Sequence, residues 1–392
     1  MRLTTLGWAT VAGAAAMAVA GRTFGLTEWY VAAGAVSTIV IVSAMWLGVQ
    51  VLDLDVRRVV HPPRVPAGGS CRVEVSVHSG RRRRSPVAVL TDTVDGALRA
   101  RLYVSPVNQS SPAVTQYRIP TTRRGLLRFG PLRIEASDPF GIWLRRVAVE
   151  RYAEVVVLPE VVPLEALPPA SGEEPDVGRR NVRMLQTATD EVSALRDFRP
   201  GDDVRRVHWP TTAKVGSPVV RQYDEPWQRR VTVLLDTSTH RTDGPSFERA
   251  VSAAASIVVS GTAANQMVRL LTPGGVDTGF LSADVEVDMV LDLLATLQPD
   301  ESDGLLGVHR RLSREHHGGT FVTIWGTPDA NAIGQLRTME VQFGSALRVV
   351  CGRLSGDMTA DRPIVVHDGG RPLAEAWHAA MVELSTVGTV AP

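Results

Sequence analysis

The residues best suited to chemistry are oxygen-bearing side chains that follow short apolar runs. Val231–Leu235 is a continuous apolar run that ends at Asp236, and Ser238 follows two residues later. Asp329 follows a second apolar run, residues 320–325. The carboxyl ends of parallel strands meet at one edge of a sheet, where α/β proteins bind ligands. Because Mg²⁺ prefers carboxylate and hydroxyl oxygens, the pattern predicts a magnesium site built from Asp236, Ser238 and Asp329.

The same segment also allows two other interpretations. His240 and Asp243 lie close to Asp236 in the sequence, and a histidine with carboxylates can supply the base and acid of a hydrolase. Alternatively, Asp236 fixes the turn from strand to helix, a common structural use of aspartate. The chain has no Gly-x-Ser-x-Gly, His-Glu-x-x-His or Gly-x-Gly-x-x-Gly motif. A binding protein is therefore favoured over an enzyme, with the hydrolase kept as the alternative.

A second cluster of charged and turn-forming residues precedes this segment. Pro200-Gly201 indicates a turn, and Asp202 predicts the cap of a short helix that ends by Trp209, since Pro210 follows. We predict that the cluster contacts a partner, with anchoring of a loop to a sheet as the structural alternative. Its members are Pro200, Gly201, Asp202, Arg205, Trp209 and Lys214.

Composition excludes several classes of protein. Lys214 is the only lysine among 42 basic residues, and because Val215 follows it the chain has no Gly-Lys-Ser/Thr phosphate loop. The two cysteines, Cys71 and Cys351, lie far apart, which argues against a zinc module or a disulfide scaffold. The formal net charge of +1 provides no global field for nucleic acid.

Two apolar runs predict that residues 1–52 form a transmembrane hairpin. Leu3–Ala20 and Trp29–Leu52 approach or exceed the length of roughly 20 residues that a membrane-spanning helix needs. Arg2 precedes the first run and Arg57 follows the second, so both termini are expected in the cytoplasm of a bacterial cell, at the plasma membrane. A cleaved signal peptide ending at Ala20 is the alternative, and it leaves the second span in the same orientation.

The remaining chain is predicted to hold two domains joined by a linker. Residues 53–163 contain short alternating runs, such as Arg72–His78, which predict a small antiparallel β-sandwich. Residues 164–185 are rich in proline and form the predicted linker. Residues 186–392 alternate four apolar β runs with helical patterns, which predicts an open doubly wound α/β domain.

Together these motifs resemble a known bacterial family. Asp236-x-Ser238 with the later Asp329 is similar to the metal-ion-dependent adhesion pattern of von Willebrand factor A domains, although His240 replaces the second serine. The chain also resembles the family called domain of unknown function 58, which carries such a domain behind two membrane spans. The motifs that carry this resemblance are Arg199–Asp203, Arg205, Trp209, Ala213-Lys214, Arg124-Gly125, Gly130-Pro131 and Asp138–Gly141.

The resemblance implies a fold and partners. Members of the family are usually membrane-tethered, von Willebrand factor A-like proteins encoded beside a MoxR-type AAA+ ATPase and often a transglutaminase-like membrane protein. The chain is accordingly expected to act as an adaptor for that ATPase in the assembly or maturation of envelope-associated complexes. Mg²⁺ is the ion expected to complete its contact surface.

Overall fold

The computed structural model describes residues 1–49, 54–80, 85–109, 112–168, 192–197, 207–223, 230–281, 284–301, 304–314, 318–353 and 363–387. The chain divides into two compact units, Met1–Leu158 and Pro159–Pro392.

Near its amino terminus, after a short strand, the first unit has two helices joined by a tight turn. α1 spans Thr5–Phe24 and α2 spans Thr27–Val49. The Thr4 side chain caps α1 by accepting a hydrogen bond from the Gly7 N–H, and Gly25 ends the helix in a left-handed conformation with φ of 69°. Among the described residues, α2 alone is long and apolar enough to cross a membrane, judged by length and composition. The prediction of two spans stays a prediction.

The described part of the first unit also contains ten strands. Their bounds are β1 Arg2–Leu3, β2 Leu54–His61, β3 Arg64–Pro66, β4 Ser70–Ser79, β5 Ala88–Val94, β6 Leu98–Val104, β7 Ala113–Pro120, β8 Gly125–Ser137, β9 Trp143–Val149 and β10 Ala153–Leu158. β2, β4 and β7 form one sheet, and the other seven strands form a second.

The two sheets of the first unit share one apolar core. Alternate residues of β4, among them Val73 and Val75, are buried in it, as the period of a half-buried strand requires. Phe129 and Leu132 of β8, on the other sheet, belong to the same core. All pairs of these strands are antiparallel except β3 with β10, which run parallel.

The described part of the second unit alternates strands and helices. Its elements are β11 Val192–Asp197, α3 Trp209–Val215, β12 Val219–Tyr223, β13 Arg230–Leu235, α4 Gly244–Ala263, β14 Met267–Leu271, β15 Asp277–Leu281, α5 Asp284–Thr296, α6 Leu305–Leu312, β16 Thr320–Trp325, α7 Ala330–Glu340, β17 Ser345–Val350, β18 Ile364–Val366 and α8 Leu373–Val387. β11 and β12 form a separate two-stranded sheet.

Six strands of the second unit form one open sheet. Their order is β15-β14-β13-β16-β17-β18, so that in chain order the strands run 3-2-1-4-5-6, a doubly wound arrangement. All neighbours are parallel except β15, which is antiparallel to β14 at one edge. Every residue of β16 is buried, as expected of a parallel strand covered on both faces. The sequence pattern missed the edge strands β15 and β18. β15 is not a continuous apolar run, and β18 is only three residues long.

A helix that the sequence did not predict follows the charged cluster. α3 begins at Trp209, the residue at which the predicted helix was expected to stop, because Pro210 falls in its first turn, where the missing N–H is not needed. His208 precedes it as the N-cap residue. Residues 202–206, where the predicted helix was expected to start, lie outside the described residues.

The first residues of the predicted linker pack within the second unit. The Leu164 N–H donates to Ser260 Oγ of α4 at 3.1 Å, and the Trp377 indole N–H of α8 donates to the Glu165 carbonyl at 2.9 Å. Leu167 is buried. Residues 164–167 therefore belong to the α/β unit, while residues 169–185 of the predicted linker lie outside the described residues.

Candidate functional site

The predicted metal ligands lie at the carboxyl ends of two adjacent strands. Asp236 and Ser238 directly follow β13, and the Asp236 N–H continues the sheet by donating to the Ile324 carbonyl of β16 at 2.9 Å. Asp329 follows β16 and is the N-cap residue of α7. β13 lies inside the sheet between β14 and β16, so this edge is where a doubly wound sheet presents its ligand site.

A buried arginine holds the Asp236 carboxylate. Arg241 donates from Nε to Oδ2 at 2.8 Å and from Nη2 to Oδ1 at 3.1 Å, a bidentate pair. Their side chains are 4 % and 0 % exposed. The Ser238 N–H also donates to Asp236 Oδ1, at 3.3 Å. Both carboxylate oxygens are therefore occupied by donors within the chain, and the buried negative charge is neutralised.

The same guanidinium lies near the second predicted carboxylate. Arg241 Nη1 is 3.9 Å from Asp329 Oδ2, and the guanidinium carbon lies 5.7 Å from the centroid of the Trp325 ring. Asp329 is exposed and caps α7, because its Oδ1 accepts the Ala332 N–H at 2.7 Å. A fixed cation thus pairs with Asp236 and approaches Asp329, the two carboxylates predicted to share a metal ion.

This donor set does not fit Mg²⁺. The ion needs near-octahedral oxygen coordination, usually through one or two carboxylates and several waters. Both oxygens of Asp236 are bound by Arg241, whose positive charge opposes a second cation at close range. Ser238 Oγ is buried and has no hydrogen-bond partner among the described residues. Of the predicted ligands this leaves one hydroxyl and the exposed Asp329 carboxylate, whose Oδ2 lies 3.9 Å from the Arg241 guanidinium. The described residues contain no cluster of three histidine, cysteine, aspartate or glutamate side chains suited to a metal.

The residues of the hydrolase alternative are engaged in local structure or isolated. Asp243 is the N-cap of α4, where its Oδ1 accepts the Ser246 N–H at 2.7 Å and its own N–H donates to Ser246 Oγ. The hydrogen bond from Ser246 lowers the pKa of Asp243. His240 is exposed, and Asp236 is committed to Arg241. Within the described part of this segment, no carboxylate therefore forms a pair with His240 that could serve as the base and acid of a hydrolase.

Sequence reasoning missed Arg241 and the neighbouring contact of Asp300. Thr237 Oγ1 donates to Asp300 Oδ2 at 3.3 Å, and the two residues also pair through the backbone, with the Asp300 N–H donating to the Thr237 carbonyl at 2.8 Å. The signal for Arg241 was an arginine five residues after the strand-end aspartate, close enough to fold back across one turn. Asp300 gave no local signal, because α4, β14, β15 and α5 separate it from Asp236 along the chain.

Two members of the charged cluster lie in the described part of the chain. Trp209 is 63 % exposed at the start of α3, and Lys214 is exposed in its last turn. The residues that lead into α3 hold its start in place. The His208 N–H donates to the Val219 carbonyl of β12 at 2.7 Å, and Val207 is buried. Pro200, Gly201, Asp202 and Arg205 lie outside the described residues.

The fold and the strand-end site define an open doubly wound α/β domain, and one family model matches within it. Residues 194–310 match the family described as "Protein of unknown function DUF58", which supports the predicted resemblance for this part of the chain. The match includes α3, β13 and the Asp236–Arg241 pair. No curated protein matches the chain.

Three solved structures show the kind of likeness that the chain shares with proteins of known structure. The CARDB domain of a Pyrococcus furiosus protein, in complex with di-metal ions, is 18 % identical over 27 % of this chain and 90 % of its own, with a TM-score of 0.20. A β-glucosidase from Listeria innocua in complex with glucose is 14 % identical over 27 % of this chain and 16 % of its own, with a TM-score of 0.17. Spo0M, a sporulation control protein from Bacillus subtilis, is 10 % identical over 27 % of this chain and 50 % of its own, with a TM-score of 0.18. Likenesses at TM-scores this low define neither a shared fold nor a shared function.

Proposed function

We propose that this protein is a membrane-anchored adaptor whose cytoplasm-facing α/β unit binds a MoxR-type AAA+ ATPase. The observation that carries the proposal is the exposed Trp209 on a helix held firmly in place. The family resemblance supplies the kind of partner, and residues 194–310 are the part of the chain that matches the family.

The physical argument starts from the exposure of Trp209. A tryptophan side chain left 63 % exposed keeps a large apolar area in water. Tryptophan is enriched among the residues that dominate binding energy at protein interfaces. Lys214 adds an exposed positive charge in the last turn of the same helix. A rigid helix that presents one aromatic anchor and one cation suits a partner surface with an apolar pocket and acidic residues.

The strand-end site supports a binding surface that works without a metal ion. In a metal-dependent adhesion site a bound cation recruits a carboxylate from the partner. Here Arg241 supplies the fixed positive charge between Asp236 and Asp329. We therefore propose that binding of the adaptor to its ATPase needs no Mg²⁺ at this site.

The amino-terminal helices supply the proposed anchor. α2 supports one membrane span, and the proposal adds α1 as a second, with both termini in the cytoplasm of a bacterial cell. A transglutaminase-like membrane protein is the proposed second partner, and envelope-associated complexes are the proposed clients. The hydrolase has less support, because no described carboxylate is arranged to act with His240.

Binding of the full-length protein in nanodiscs to the co-encoded MoxR-type ATPase tests the proposal. Binding should be measured with ATP, with ADP and without nucleotide. Trp209→Ala should weaken it at least tenfold, because the aromatic anchor is lost. Val341→Ala, at an exposed apolar residue following α7, is the matched control and should bind like the parent. Absence of binding in every nucleotide state contradicts the adaptor, and equal binding by both variants contradicts the role of Trp209.

Because the ATPase itself needs Mg²⁺ with ATP, the metal question is tested in the nucleotide-free state. There, binding with EDTA should equal binding with Mg²⁺. A loss of binding in EDTA would contradict the metal-independent surface and leave the adaptor itself in place.

A further inference from the structure

The segment Asp138–Gly141 forms a rigid turn that exposes a phenylalanine. Asp138 is buried, and its carboxylate accepts the Phe140 N–H at 3.0 Å and the Trp143 N–H at 2.5 Å. Gly141 has a φ of 69°, a left-handed conformation that favours glycine. With the backbone fixed at both ends, the Phe140 side chain points outward and is 60 % exposed. The proposed ATPase-binding residues on α3 do not account for this exposed phenylalanine.

The turn is fastened to the start of α1. The Thr4 N–H donates to the Ile142 carbonyl at 3.0 Å, and Thr4 Oγ1 donates to the Gly141 carbonyl at 2.6 Å. Gly7 allows this close approach, because a Cβ at that position would collide with the Ile142 carbonyl oxygen. The turn therefore lies beside the first turn of a helix whose outward side chains, such as Leu6, are apolar and exposed.

The strand that follows the turn also reaches along α2. The Trp143 indole N–H donates to the Val40 carbonyl at 3.0 Å. From Val40 to the end of α2 at Val49, the helix extends a further distance of about 13 Å. Over that length α2 still exposes apolar side chains, among them Val42 and Met45. The start of β9 thus lies beside a part of α2 that remains apolar on its outer surface.

We propose that the Asp138–Gly141 turn is embedded in the membrane interface, with Phe140 among the lipid headgroups. This inference rests on the anchoring that the proposed function includes. The α2 helix contains 23 residues. At the helical rise this corresponds to about 34 Å, which matches a hydrocarbon core of about 30 Å. The α1 helix contains 20 residues, which corresponds to about 30 Å. Its first turn, to which the Asp138–Gly141 turn is fastened, therefore lies at the edge of such a core, next to the headgroups.

Continuity and charge favour lipid over a protein as the occupant of this surface. Phe140 and Leu6 are both exposed, and Leu6 Cδ2 would lie 4.0 Å from a Cβ built on Gly141, the residue after Phe140. Arg2, which pairs through β1 with Leu144 of β9, is exposed at the same edge and can contact anionic headgroups.

Depth-dependent fluorescence quenching of the full-length protein tests the inference. Cys71 and Cys351 are buried, and burial raises the pKa of the Cys351 thiol to about 12, so a thiol-reactive polarity-sensitive dye reports on an introduced cysteine. Phe140→Cys is compared with Tyr152→Cys, an aromatic position of similar exposure (67 %) beyond the opposite end of β9. The protein is placed in nanodiscs of anionic lipid that carry spin labels at the headgroup or along the acyl chain.

We expect blue-shifted emission at position 140 and at least threefold stronger quenching by lipid labels than at position 152. Equal quenching at both positions would overturn the inference. So would a dye at position 140 that neither lipid labels nor aqueous iodide reach, since a protein surface then covers the turn. Flotation with lipid vesicles separates the two proposals: a chain that does not float contradicts the anchor itself, whereas a floating chain with an unquenched Phe140→Cys contradicts only the embedded turn.

Discussion

Two buried ion pairs of the second unit use the same chemistry in different places. Arg241 binds Asp236 at the carboxyl end of β13, and Arg348 of β17 binds Glu340 in the last turn of α7. Arg348 donates to the two Glu340 oxygens at 2.8 and 2.6 Å, so both pairs are bidentate. The side chains of the Glu340 pair are 4 % exposed or less, as are those of the Asp236 pair.

Position decides what each pair can do. Glu340 and Arg348 join a helix to the middle of a strand, where a ligand has no access. The Asp236 pair lies at the ligand edge of the sheet, beside the exposed Asp329. A buried charge without its partner is strongly unfavourable, so both arginines stabilise the fold. Of these two arginines, Arg241 is the one whose guanidinium also approaches a second predicted metal ligand, Asp329.

The largest effect should follow from removing the arginine of the internal pair. Arg348→Ala leaves Glu340 buried without a counter-charge and should reduce the free energy of unfolding of the second unit by about 3–5 kcal/mol. Denaturant unfolding followed by tryptophan fluorescence measures it, since Trp325 and Trp377 are buried there. The double variant Glu340→Leu with Arg348→Met should recover most of the loss. A loss below about 1 kcal/mol would mean that the pair contributes little.

The second prediction concerns the pair at the edge of the sheet. Arg241→Ala should reduce the same free energy by about 3 kcal/mol, because Asp236 loses its counter-charge. Unlike Arg348→Ala, this variant should regain stability from Mg²⁺: at about 10 mM ion and a Kd of about 1 mM, the gain is about 1.4 kcal/mol.

Thermal unfolding with and without Mg²⁺ checks that contrast, with Arg348→Ala as the matched control. The parent protein should not respond to the ion. A parent that is stabilised by Mg²⁺, or an Arg241→Ala variant that is not, would contradict the conclusion that arginine takes the place of the metal.

A smaller effect is expected at a third, less buried pair. Arg269 donates to both carboxylate oxygens of Asp277 in β15, at 2.8 and 2.7 Å, and these hydrogen bonds hold the pKa of Asp277 at about 2. Because the folded pKa is depressed, the stabilisation is present above the unfolded pKa of about 3.9 and is lost as the pH falls towards about 2. Asp277→Asn should therefore reduce the free energy of unfolding by about 2 kcal/mol at pH 7.

Unfolding measured from pH 7 to pH 2 tests that linkage. The difference between parent and Asp277→Asn should stay constant down to about pH 5 and shrink below about pH 4. Asp329→Asn, at an exposed cap, is the control. It should change stability by no more than about 1 kcal/mol. A difference that does not depend on pH would mean that the carboxylate charge of Asp277 is not what stabilises the pairing of β14 with β15.

Local patterns predicted much of the second unit and part of its site. The apolar runs ending at Leu235 and Trp325 are β13 and β16. The edge strand β15 and the helix α3 were missed. A partly exposed strand has no continuous apolar run, and a proline in a first turn resembles a helix end.

Amino-acid order alone determined where strand ends would carry Asp236, Ser238 and Asp329, since a buried parallel strand must be apolar and its polar residues follow at its end. Only the tertiary structure decided that Arg241 would bind the first of these carboxylates and lie near the last. That outcome depends on a side chain folding back across a turn and on β13 and β16 becoming neighbours although β14 and β15 lie between them in the chain. Charge neutralisation in a buried site depends on such neighbours, which a linear pattern does not contain.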